Sequence, residues 1–249
     1  MTAMATRPLG TSEALRVLAN RRVYFAHQSV GGNIVHGIET ILETHANSGV
    51  KLVESRNPAS VSGPAFIHFA AGRNEDPASK NADFQRVLDS RAGADSALVL
   101  LKYCYIDVNA GTDIDALFRT YSETVAGVRR KHPDVTVVHV TMPLTTDADD
   151  WKASIKRLLG RTTAREVNAK RARFNRLLKS TYPAEPLFDL AALESTHPDG
   201  RRERTVVGGE DVFALVAGYT PDGGHLTQNA QKDIADSLIR TLAAIPIRQ

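Results

Sequence analysis

A single cysteine, Cys104, is all the thiol chemistry that this chain of 249 residues contains. That excludes an intrachain disulfide framework and any zinc site built from several thiolates. No uninterrupted apolar run reaches the length of a membrane span, and residues 1–10 carry no apolar core of signal-peptide length. A cytoplasmic location is therefore expected, an exported form that has lost its leader being the alternative. A large charge of one sign is also missing. The 31 basic and 28 acidic residues leave +3, too little to imply a nucleic-acid partner. There is no His-Glu-x-x-His, and the eight histidines show no metal-ligand spacing, so neither a metal nor an organic cofactor is expected. Gly32 and Gly37 have the spacing of a phosphate loop, but Ile38-Glu39 follows where Lys-Ser/Thr is required.

What is present is an ordinary globular composition, 42% hydrophobic and 24% charged, arranged as alternating strand-like and helix-like segments. Residues 22–26, 51–54, 97–101, 135–141 and 186–190 read as strands, and 32–44, 81–90, 112–131, 163–180 and 227–243 as helices. Continuous apolar strands alternating with helices predict an α/β fold with a parallel sheet covered on both faces. Residues 57–78, with 67–70 as an extended stretch at most, and residues 195–224 read as long loops, and loops of that length are often functional. Residues 1–20 are taken as an N-terminal extension and 21–249 as one domain. The helix at 163–180 and the residues ahead of it are basic (Lys156, Arg157, Arg161, Arg165, Lys170, Arg171, Arg173, Arg176, Lys179). Val167, Phe174 and Leu177 give that helix an inward stripe, so a solvated outer face is the expected reading. Few aromatics interleave with these charges, which argues against single-stranded nucleic acid. Oligomeric state is not legible.

Two stretches carry candidate chemistry. Ser29 follows the first strand, in His27-Gln28-Ser29-Val30-Gly31-Gly32. A serine at a strand-to-helix turn either caps the helix or stands exposed as a nucleophile, with helix N–H groups ready for a developing oxyanion. Near the other end, Asp222-Gly223-Gly224-His225 precedes the last helix. There the spacing lets a carboxylate orient an imidazole that acts as general base; a surface turn with a solvated histidine is the alternative. In open parallel sheets ligands sit beyond the carboxyl ends of the strands, where Ser29, Gly72, Tyr105 and Thr141 all fall.

The two stretches together resemble the SGNH hydrolases, or GDSL-type esterases and lipases, over about residues 22–242. The resemblance implies a flavodoxin-like three-layer α/β/α fold with a five-stranded parallel sheet. It also implies ester hydrolysis through an acyl-enzyme by Ser29, Asp222 and His225. The oxyanion hole it implies comprises the N–H groups of Ser29 and Gly72. The family's asparagine after the third strand is replaced by Cys104, a weak donor. The amide is then supplied by Asn74, or the site is built differently, or the protein is a poor hydrolase. His27 stands where the family has glycine and is expected either to pack or, with Cys104, Tyr105 and Tyr219, to contact substrate. The substrate class is a small-molecule or carbohydrate ester, acetylated sugars included. The alternative is a module on the same scaffold that binds an acylated carbohydrate without cleaving it.

Overall fold

The computed structural model describes residues 9–91, 96–147 and 163–246. Strands β1 (Arg22–His27), β2 (Leu52–Glu54), β3 (Ala65–Ala70), β4 (Ala97–Leu101) and β5 (Val135–Val137) form a five-stranded parallel sheet in the order β2-β3-β1-β4-β5. The chain kinks at Val138, whose N–H still donates to the Val99 carbonyl at 2.9 Å. It then continues as β6 (His139–Val140), which pairs in parallel with β7 (Leu187–Phe188).

Helices cover both faces, giving the expected three layers. Successive strand residues point to opposite faces: Val23, Phe25, Phe66, Leu98 and Leu100 to one core, and Tyr24, Ala26, Ile67, Phe69, Val99 and Leu101 to the other. Helices α1 (Thr11–Leu18), α2 (Val30–Thr44) and α7 (Gln228–Ala244) close the first core. Helices α3 (Pro77–Asp89), α4 (Ile114–Lys131) and α5 (Ala164–Thr181) close the second. Ala14, Leu15 and Leu18 of α1 are buried, so residues 11–18 of the expected extension pack within the domain core. The α2–α7 seam requires Gly37, where a Cβ would stand 2.2 Å from the Gln231 carbonyl oxygen. That seam matters for the site, because α2 begins directly after Ser29 and α7 begins just after His225.

Several elements differ from the sequence expectation. Residues 57–78 are not one loop: β3 lies within them, hydrogen-bonded to β2 and β1 on its two sides. From Pro77 the chain is already α3, with the Asp76 carboxylate capping it by accepting from the Ser79 N–H at 3.0 Å. Residues 195–224 contain a hairpin, β8 (Arg204–Val207) and β9 (Glu210–Phe213). Its turn glycines, Gly208 and Gly209, have φ of 60° and 85°, as a two-residue hairpin loop requires. A short helix, α6 (Leu190–Ser195), follows β7.

The basic helix α5 is not a free cationic strip. Arg165 pairs with Asp147 at 2.6 Å, Arg173 with Asp115 at 2.6 Å, Arg176 with Glu210 at 2.9 Å and Lys179 with Asp189 at 2.5 Å. Lys170 caps the carbonyls of Ala110 and Thr112, and Arg171 is buried. Lys156, Arg157 and Arg161 lie outside the described residues. No helix among the described residues is long and apolar enough to cross a membrane.

Candidate active site

Ser29, Gly72 and Tyr105 stand just beyond the carboxyl ends of β1, β3 and β4. Ser29 occupies the N-cap position of α2, yet its side chain makes no capping hydrogen bond. Its backbone is held at φ 51° and ψ −115°, a left-handed conformation that a non-glycine residue adopts only at a cost of about 1–3 kcal/mol. Ser29 Oγ lies 2.8 Å from His225 Nε2, and His225 Nδ1 lies 2.6 Å from Asp222 Oδ2. The three groups form one hydrogen-bonded line across 196 positions of sequence. No hydrogen bond among the described residues uses the Ser29 N–H.

Asp222 is built into its own turn. Its Oδ1 accepts the backbone N–H groups of His225 at 2.8 Å and Gly224 at 3.0 Å. The His225 ring, then these two amides, hold the carboxyl well below the usual carboxylate range. Gly223, with φ of 90°, closes the turn, and its carbonyl accepts the Thr146 N–H at 3.0 Å. The line is shallow: the His225 and Asp222 side chains are 41% and 52% exposed, so a substrate can approach without a deep channel. Asn33 Oδ1, on the first turn of α2, accepts the Leu226 N–H at 3.1 Å, tying the helix that follows Ser29 to the turn at 222–225.

The other expected site residues divide. Gly72 does not present its N–H to the Ser29 side: that group donates to Asp83 Oδ2 at 2.9 Å. The N–H expected at the oxyanion is thus engaged by a carboxylate. The glycine is required instead by close packing, since at φ 55° a Cβ would lie 2.5 Å from the Lys80 N and 2.6 Å from Ser79 Oγ. Asn74 is exposed, and its Oδ1 accepts from Lys80 Nζ at 3.2 Å. Cys104 is fully buried and turned inward, its thiol donating to the Gln28 carbonyl at 3.2 Å. The Tyr219 hydroxyl is committed to the Thr196 carbonyl at 2.8 Å. Thr141 is buried and donates to Asp189 Oδ1 at 3.1 Å. Tyr105 does reach the site, its ring edge-on to His225 at 5.8 Å between centroids.

His27 packs rather than facing the cleft. A Cβ on Gly31 would lie 2.3 Å from the His27 Cβ, so the imidazole sits directly under the Ser29 turn, with Nε2 3.2 Å from His68 Nδ1. Burial, then the charge of Lys102, then His68, push the His27 pKa down to about 3. Burial also lowers His68, against the pull of Glu54 and Glu39. In the unfolded chain His27 takes up a proton near its ordinary pKa of about 6.5, whereas the folded chain refuses it until about pH 3. The unfolded state thus binds more protons between these values, and the stability that neutral His27 contributes above pH 6.5 is lost as pH falls through this window. Relative to His27→Gln, the wild type should lose up to about 1.4 kcal/mol for each pH unit below 6. Urea unfolding of both proteins at pH 7, 6 and 5 measures this; parallel pH profiles would contradict it.

Lys102 escaped the sequence reading. It is fully buried just past β4, and its Nζ donates to the Gln28 carbonyl at 2.8 Å. With the Cys104 thiol it clamps the peptide bond that leads into Ser29. Burial is the main force lowering its pKa. Beside it, Lys80 and Asp107 form a buried ion pair at 2.6 Å, and Asp107 Oδ2 also accepts the Cys104 N–H at 2.7 Å. Arg171 was read as part of a solvated face, but its guanidinium grips the Tyr105 carbonyl through Nε at 3.1 Å and Nη2 at 2.8 Å. A lysine closing an otherwise apolar strand end, and an arginine on the inward side of α5, were the available signals. No group of three or more His, Cys, Asp or Glu side chains placed to hold a metal ion occurs among the described residues.

No protein-family model matches the chain, and no curated protein matches it. Its fold does have solved counterparts. A GDSL-like lipase from Bacteroides thetaiotaomicron is 15% identical with a TM-score of 0.52, the match covering 90% of this chain and 88% of that one. A protein from Bacteroides fragilis, described provisionally as an acylhydrolase, is 18% identical with a TM-score of 0.52, covering 90% and 86%. The three-layer α/β/α fold is therefore the one found in GDSL-like lipases.

Proposed function

We propose that this chain is a serine ester hydrolase of the SGNH type. The observation that carries the reading is the continuous line from a strained, non-capping Ser29 through His225 to Asp222, at 2.8 and 2.6 Å. The acylhydrolase and lipase descriptions of the fold relatives agree with it. His225 Nε2 takes the Ser29 proton as Oγ bonds to the acyl carbon, and the carbonyl π pair moves onto oxygen. As the tetrahedral adduct collapses, its C–O bond to the alcohol breaks and the imidazolium returns the proton to the leaving oxygen. Water then repeats the cycle on the acyl-serine, releasing the acid. Asp222 keeps the proton of neutral His225 on Nδ1, leaving Nε2 free to accept. The shallow approach suits esters of small molecules or carbohydrates, acetylated sugars among them.

A second reading, a module that binds an acylated carbohydrate without cleaving it, draws on the Gly72 N–H, an expected oxyanion donor that is engaged elsewhere, and on Cys104, which stands where the family has asparagine and turns its thiol to the Gln28 carbonyl. A fluorophosphonate probe separates the two. The hydrolase should become labelled at Ser29, with turnover of at least one member of a panel of short-chain, long-chain and sugar acetate esters. An unlabelled, inactive wild type would favour the binding module.

A further inference from the structure

With Gly72 and Cys104 facing other partners, the oxyanion hole needs a side-chain donor from elsewhere, and one residue is built in place. Tyr105 directly follows the inward-turned Cys104. Its phenol lies against the catalytic turn so closely that a Cβ on Gly224 would come within 2.7 Å of the ring and 2.9 Å of the hydroxyl. The ring meets His225 edge-on, and Arg171 fixes it from behind. That guanidinium holds the Tyr105 carbonyl with two hydrogen bonds, stands 5.9 Å over the ring, and is itself anchored to Asn168 Oδ1 at 2.6 Å and Thr145 Oγ1 at 3.0 Å. A tyrosine held this firmly, with its polar tip against the turn that carries the Ser29-bonded His225, is pre-organised for the transition state.

Resting on the hydrolase reading, we infer that the Tyr105 hydroxyl and the Ser29 N–H together hold the oxyanion of the tetrahedral intermediate. In the adduct, Ser29 Oγ and the oxyanion share one tetrahedral carbon, so a donor poised beside Oγ also reaches its neighbour. Burial and the Asp222 carboxylate push the phenol's pKa up, against the pull of the Ser29 side chain next to it. The hydroxyl therefore stays protonated and donates without giving up its proton. Asp222 and His225 are the charged and titratable groups facing it from the catalytic turn, and Arg171 the one from α5.

The test is binding of a short alkylboronic acid, whose adduct with a nucleophilic serine is tetrahedral and anionic, to wild type, Tyr105→Phe and Asn74→Ala. Tyr105→Phe should weaken boronate binding and lower kcat by a similar factor, on the order of 10²-fold, while KM moves little. Fluorination of the Tyr105 ring, which makes the phenol a stronger donor, should tighten boronate binding, a change that ring packing alone does not produce. Equal boronate affinity in wild type and Tyr105→Phe overturns the inference, as does a loss confined to Asn74→Ala. A wild type that binds no boronate overturns the hydrolase reading and the inference together, whereas the other two outcomes leave that reading intact.

Discussion

Ser29→Gly should abolish ester hydrolysis and fluorophosphonate labelling while leaving the protein at least as stable as the wild type. The two effects have separate origins. Removing a nucleophilic serine from a Ser-His-Asp site costs roughly 10⁶-fold in kcat. The backbone at this position, φ 51° and ψ −115°, is strained for serine by about 1–3 kcal/mol, and glycine adopts it freely. Against that, glycine loses about 0.5–1 kcal/mol more backbone entropy on folding. The net gain of about 1 kcal/mol corresponds to a Tm higher by roughly 2–4 °C in a domain of this size. Ser29→Ala should be equally inactive but keep the strain, so its Tm should stay near that of the wild type. Scanning calorimetry of the three proteins beside an ester assay decides the matter. If Ser29→Gly melts well below Ser29→Ala, the backbone at this position is not strained; if Ser29→Ala melts well below the wild type, the hydroxyl serves stability.

The second large effect is expected at Asp222→Asn. The carboxylate takes the His225 N–H and Gly224 N–H on one oxygen and the His225 ring on the other. An asparagine can keep its carbonyl on the two amides, and it must then offer an NH₂ to the ring. That donor favours the imidazole with its proton on Nε2, which cannot accept from Ser29. The fall in kcat should be roughly 10³–10⁴-fold, the upper figure belonging to a buried triad acid and the lower to one as exposed as Asp222. Because the substitution is nearly isosteric, KM should change little. Single-turnover kinetics that retain more than a tenth of the wild-type acylation rate would remove Asp222 from the mechanism.

The end motifs were legible because they depend on short-range geometry. Asp222 to His225 is one turn, and Ser29 closely follows the apolar run Val23 to Ala26 and precedes two glycines. The strands read at 22–26 and 97–101 announce themselves by the unbroken apolar runs Val23–Ala26 and Ala97–Leu101. The strand at 65–70 does not, because Ala-Phe-Ile-His-Phe-Ala carries a histidine in its middle and lies among proline, serine and glycine. Its burial is imposed by neighbours on both sides. Helix Leu190–Ser195 is shorter than two turns, too brief for periodicity to register. The hairpin at 204–213 did carry its signal in Gly208-Gly209, hidden by the charges around it. Within the site, the fates of Gly72 and Cys104 were not legible, because they are decided by Asp83 and by the Gln28 carbonyl, partners 11 and 76 positions away. Lys102 was missed and Arg171 misread for a related reason. Long cationic side chains are usually solvated, and only the assembled core reveals the carbonyls that they cap.

The contrast between the two links of the Ser29–His225–Asp222 line has a kinetic corollary. The carboxylate–imidazole link joins residues three positions apart, so it can form as soon as the local turn does. The serine–imidazole link joins residues 196 positions apart and exists only once the first and last thirds of the chain have docked along the α2–α7 seam. Recovery of activity during refolding should accordingly time the meeting of the chain's two ends, making turnover a clock for the last long-range closure rather than for the appearance of secondary structure.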